Sequence, residues 1–172
     1  MNENRIKEAK SNIKSYLEDG LIRKQPFNKV IFDTYIKNYE ESLLVAQKLF
    51  NDRTSMLWVI VTSYYSMFYI ANAYFVKKGY KIGHKIAHKV TADMLVVYLK
   101  DILVEQLIEE YDILAHEALS ISENLIDNFD FERVKRSRIQ YETTQSIKET
   151  KANTSLQRAK EFGKEIEKIL EE

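Results

Sequence analysis

From Thr54 to Val76 the chain runs for 23 consecutive positions without an Asp, Glu, Lys or Arg. About 20 apolar residues suffice for a helix to cross a bilayer, so this stretch is either a membrane span or the central helix of a packed bundle. Its polar content decides. Thr62, Ser63, Tyr64, Tyr65, Ser66, Tyr69 and Asn72 would be poorly solvated by lipid, where polar groups must be satisfied from within. The other segments are amphipathic and each needs an apolar surface to cover, which a helix apolar on nearly all sides supplies. The expectation is a buried core helix over residues 55–78, and no membrane.

The rest of the chain agrees with a helical bundle. One proline and four glycines in 172 residues leave few breaks, so the helices should be few and long. Apolar stripes at helical spacing mark a first helix over residues 3–17 (Ile6, Ala9, Ile13, Leu17) and a second over 27–50 (Ile31, Tyr35, Tyr39, Leu43, Ala46, Phe50). A lysine-rich turn after Gly79 leads to a fourth over 84–98. A fifth uses Val104, Leu107, Ile108, Tyr111, Leu114 and Ala118. Ser120-x-x-Glu123 reads as a capping box that restarts a short helix, and Asp130 as the cap of an arginine-rich helix from Phe131. The last helix spans 155–170, with Leu156, Ala159, Phe162, Ile166 and Ile169 inward. No segment alternates as a strand would. The expected fold is therefore all-α, about five to seven helices around the central one. It forms a single domain over 1–172, with 1–26 as an N-terminal helix and connector and 27–172 as the bundle core.

The absence of cysteine excludes disulfides, thiolate metal sites and cysteine nucleophiles, and fits a cytoplasmic protein. The polar start, Met1 to Arg5, leads into an amphipathic helix, which is not how a signal peptide begins. Net charge is zero, but the charges are blocked. Residues 77–90 hold five lysines, two histidines and no acid, whereas residues 101–130 hold nine acids and no Lys or Arg. Basic character returns with Arg133, Lys135, Arg136 and Arg138. Such blocks create local fields that a zero net charge hides. They are either solvated helix faces that pair across the bundle or a surface for an anion.

Phe131, Val134, Arg138 and Tyr141 share one helical face. An arginine in an apolar stripe is costly unless paired, so Arg138 either grips a phosphate through its planar guanidinium or is bonded to an acid of the 101–130 block. Arg136 lies about 160° round the helix from Arg138 and need not serve the same site. His84 and His88, four apart, would share one turn of the fourth helix. Asp93 is badly placed as a third ligand and the lysines around repel a cation, so no metal and no cofactor is expected. Lys81, His84 and Lys85 instead form either a basic, phosphate-facing turn or an ordinary solvated helix start. His116 stands among acids and reads as structural. The aromatics Tyr64, Tyr65, Phe68, Tyr69, Tyr74 and Phe75 read as core.

Two segments carry a resemblance. Ser63-Tyr64-Tyr65-Ser66-Met67-Phe68 followed by Lys77-Lys78-Gly79 and His84, and then Arg133-x-x-Arg136-x-Arg138-x-x-Tyr141, resemble the HEPN family of small all-α domains, in particular its short stand-alone prokaryotic members. The resemblance implies a homodimeric bundle that binds RNA or nucleotides, and a nucleotidyltransferase partner in a toxin–antitoxin or defence module. It places Arg133, Arg136, Arg138, Tyr141, Lys81, His84 and Lys85 at the binding site. Catalytic members of the family cleave RNA without metal, using an arginine, then four to six intervening residues, then a histidine. Here Arg136-x4-Tyr141 puts tyrosine where the histidine would stand. With a pKa of about 10, tyrosine is a poor proton acceptor at neutral pH. The altered motif points to a binding protein. An active metal-free endoribonuclease using Arg136, Arg138, Tyr141 or His84, and a purely protein-interaction bundle, are the alternatives.

Overall fold

The structure, a computed structural model, describes residues 2–103, 105–132 and 145–171, without the side chains of 123–132 and 145–148. Six helices and two short strands follow in the order α1 (Glu3–Glu18), β1 (Ile22–Lys24), α2 (Lys29–Asn51), α3 (Met56–Lys77), β2 (Tyr80–Ile82), α4 (Ala87–Tyr98), α5 (Glu105–Glu132) and α6 (Gln145–Glu171). The uncharged stretch is α3, within one residue of the expected bounds at each end. It is the one helix among the described residues long and apolar enough to cross a membrane, and most of it is buried inside the bundle. Val59, Tyr64, Met67, Ile70, Ala71 and Ala73 are wholly buried, because helices cover α3 from several sides.

Local chemistry sets the helix ends. The side chain of Asn28 accepts the Ile31 amide at 3.1 Å to start α2, and Gly79, at φ +82°, ends α3 in a left-handed turn. α6 runs parallel to α3. Glu149 meets Arg53 at 3.3 Å where α2 turns into α3, and Lys77 bonds the Leu170 carbonyl at the other end. α5 runs antiparallel to α6, with Glu117 on Lys151 at 3.3 Å and Glu110 on Arg158 at 3.4 Å.

Four expectations are corrected. The fold is not wholly α-helical: β1 and β2 form an antiparallel ladder, with Ile22 opposite Ile82. Three residues per strand are too few to show alternation. α4 begins at Ala87 rather than His84, because Ile86 takes a left-handed φ of +46° that interrupts the helix. α5 runs through Ser120 and Asp130 without a restart. Leu114, Ala118 and Ile121 carry the inward stripe past the supposed cap. α6 starts at Gln145, ahead of the expected 155, and its buried face already includes Ala152. Position 104 and the arginine-rich segment 133–144 lie outside the described residues.

Candidate phosphate-binding surface and aromatic cleft

The ladder builds one face of the candidate site. The Gln25 amide donates to the Gly79 carbonyl at 2.9 Å, and a Cβ on Gly79 would stand 3.2 Å from the Gln25 carbonyl. The two strand ends thus meet only because position 79 has no side chain. In this register Ile22 is buried, and Arg23 lies directly opposite Lys81 with both exposed. Like charges facing one another across a ladder are unfavourable. His84 and Lys85 extend the same exposed basic surface, and none of these side chains is in an ion pair among the described residues. Arg23, Lys81, His84 and Lys85 line a shallow cleft of about 390 Å³, with Asp19 as the one acid on its wall. Arg23 donates from Nε to the Gly20 carbonyl at 3.2 Å, which holds the guanidinium over this cleft.

Lys81 and His84 also stand at the edge of a second cleft, about 420 Å³, between α2, α3, β2 and the start of α4. Tyr35, Tyr65, Phe68, Tyr69, Asn72 and His88 are among its walls. Tyr65 and Tyr69, expected in the core, are only half-buried, whereas Tyr64, Phe68, Tyr74 and Phe75 are buried. The difference follows from the helix face: Trp58, Thr62, Tyr65 and Tyr69 share the one stripe of α3 that no other described helix fully covers.

His88 points inward. Its ring centre stands 4.5 Å from that of Phe68, and its Nδ1 lies 2.6 Å from the Tyr64 hydroxyl. Burial lowers the imidazole pKa below its usual value and raises those of the Tyr64 and Tyr111 phenols, so all three are neutral at pH 7. The Tyr111 hydroxyl is fully buried beside Tyr64 and makes no hydrogen bond among the described residues. One proton bridges the Tyr64 hydroxyl and His88 Nδ1, and the imidazole tautomer sets which of them donates. When the Tyr64 hydroxyl donates, the ring proton of His88 sits on Nε2, the ring nitrogen not used by Tyr64. Asn72, 3% exposed, donates to the Phe68 carbonyl at 2.8 Å and to Thr91 Oγ1 at 3.2 Å. Both amide protons are thus engaged within the fold, and Oδ1 remains as its acceptor.

The sequence candidates fall into two groups. Lys81, His84 and Lys85 come together on the hairpin face. Arg133, Arg136, Arg138 and Tyr141, and with them any pairing of Arg138 to an acid, lie outside the described residues. α6, which follows that segment, begins at the Arg53 end of α3, whereas the hairpin leaves the opposite end. The 22 residues between span about 33 Å. His84 and His88 do not share a helical turn, since His84 precedes α4. No group of three or more potential metal ligands occurs among the described residues.

Arg23 was missed by sequence reasoning, as was a second polar cluster. Asp93, 1% exposed, accepts from Arg5 Nη1 at 2.5 Å, Asn12 Nδ2 at 3.0 Å and Tyr16 Oη at 3.0 Å, while Arg5 also reaches Asp112 at 3.3 Å. Asp93 thus ties α1 to α4 through three α1 side chains. Comparison with protein-family models, curated proteins and solved structures finds no match to the chain.

Proposed function

We propose that the chain is a HEPN-like protein that binds RNA or nucleotides through the phosphate, on the face made by the hairpin and the following turn. It works in the cytoplasm as a homodimer, within a toxin–antitoxin or defence module beside a nucleotidyltransferase. The observation that carries the phosphate reading is Arg23 opposite Lys81, with His84 and Lys85 alongside and no ion pair among the described residues to neutralise them. A fold that places two cations directly across a ladder gives up a little stability. An anion held between them returns it. A guanidinium beside an ammonium group offers phosphate oxygens both bidentate hydrogen bonds and a point charge.

With tyrosine in place of the motif histidine, the chain binds without cleaving. The test is incubation of end-labelled RNA with the metal-free protein and with an Arg23→Ala, Lys81→Ala variant. Retarded, uncut RNA that is released by salt is the expected result. Loss of two phosphate contacts lowers the slope of log affinity against log salt by roughly 1.5 to 2. Products ending in a 2′,3′-cyclic phosphate would make the protein a nuclease, and no binding at all would send the search to a protein partner.

A further inference from the structure

The aromatic cleft behind the basic edge separates its chemistry in space. Its interior is neutral: Tyr35, Tyr65, Phe68 and Tyr69 supply ring faces, and Asn72 and His88 supply polar atoms. Its charge lies at one side, where Lys81 and His84 belong both to this cleft and to the basic one next to it. At about 420 Å³ it has the volume of a small-molecule site, for which the usual range is about 300–1,000 Å³.

A ligand matched to this arrangement has a flat, uncharged π-system with hydrogen-bonding edges, joined by a short linker to an anion. We infer that the cleft receives a single unstacked nucleotide, its base against Tyr65 and Tyr69 and its phosphate on Lys81 and His84. Unpaired bases are commonly read in this way, stacked on aromatic rings and bonded along their edges. The Asn72 Oδ1 acceptor and the free ring nitrogen of His88 suit an edge that itself mixes donors and acceptors, as the Watson–Crick edge of every nucleobase does. The rings of Tyr35 and Tyr69 are 6.3 Å apart and tilted, too close to admit a base between them, so the base lies on the face of this group. The inference rests on the phosphate reading above and adds the base to it. A free nucleotide and an unpaired nucleotide of a strand offer the same chemistry.

The experiment compares probes with and without a base: adenosine 5′-monophosphate against ribose 5-phosphate, and oligo(A) RNA against an abasic ribose–phosphate oligomer. Each is titrated into the intact protein and into Tyr65→Leu, Tyr69→Leu and Arg23→Ala/Lys81→Ala variants whose melting is checked first. The base-bearing probes should bind about tenfold or more tighter than their base-free counterparts, an advantage that Tyr65→Leu or Tyr69→Leu abolishes, in keeping with stacking of about 1–3 kcal/mol per base. Binding of the monophosphate alone identifies a free nucleotide as sufficient, and binding of oligo(A) alone identifies a strand. Equal binding with and without the base would overturn the pocket and leave the phosphate reading standing. Binding by none of the probes would overturn both. The base comparison in the wild-type protein decides even if a tyrosine variant fails to fold.

Discussion

His88 Nδ1 lies 2.6 Å from the Tyr64 hydroxyl, a bond that ties the first turn of α4 to the middle of α3. The imidazole is also packed on Phe68 and burial pulls its pKa below 6.5. The unfolded chain therefore takes up this proton before the folded one does. The His88 contribution to stability should be flat above about pH 7.5 and fall as pH drops through 6.5 toward the lowered folded value. Asp112 works in the opposite sense at lower pH, since burial raises its carboxyl above 3.8. It then adds stability as pH falls. Urea unfolding between pH 5.5 and 8 of the wild type and of His88→Phe checks this, and an unchanged slope in the variant would refute it.

The docking of α1 depends on one buried carboxylate. Arg5, Asn12 and Tyr16 all bond Asp93, so Asp93→Asn removes the charge from the centre of a satisfied network. Losing one member of a buried ion pair costs about 3 kcal/mol or more. The expected result is a lower urea midpoint, together with tryptic cleavage at Lys7, Lys10 or Lys14 before the rest of the bundle is attacked. Cleavage elsewhere first would show that α1 is held by its apolar face alone.

That cluster shows what the sequence could and could not reveal. Residues 5, 12 and 16 lie on one stripe of α1, beside the apolar row Ile6, Ala9 and Ile13, so a polar edge to the first helix was readable. Its acceptor, 77 residues beyond Tyr16, was not. The core helix was readable because 23 uncharged positions admit few other folds. Arg23 escaped notice because its neighbour Lys81 comes from a distant strand, and short non-local ladders leave no periodic trace. The turn at Ile86 was equally silent, since a β-branched residue in the left-handed region is imposed by tertiary structure against its own preference. Tyr65 and Tyr69 look like core residues on any helical wheel; only the placement of α2 and α4 shows that their side of α3 is left open.

At the contact of α2 with α6, Gly163 makes room for Tyr39. A Cβ at position 163 would stand 2.9 Å from Cε2 and Cζ of the Tyr39 ring, which is 5% exposed. In an open helix, Gly→Ala would stabilise by about 1 kcal/mol. Here overpacking reverses the sign, and Gly163→Ala should lower stability by about 1–3 kcal/mol. Adding Tyr39→Leu should make the alanine less costly than it is alone, a coupling that a double-mutant cycle in urea measures. Additive losses would place the clash elsewhere.

Arg23 and Lys81 supply the test in which stability and binding move in opposite directions. Lys81→Glu puts a carboxylate opposite Arg23 in place of a like charge. This should raise stability by about 0.5 kcal/mol, the scale of an exposed cross-strand pair. The same change sets a negative charge at the junction of the two clefts and removes the cation assigned to the phosphate. RNA affinity should fall, and the slope of log affinity against log salt should become shallower by about one or more. Lys81→Gln, which removes repulsion without adding attraction, should lie between wild type and Lys81→Glu in both measurements. A surface that serves only to fold would gain stability with no change in binding. If Lys81→Glu binds RNA as tightly as wild type, the hairpin is not the phosphate site. If it loses both affinity and stability, the two residues are not the opposed pair that the ladder register makes them.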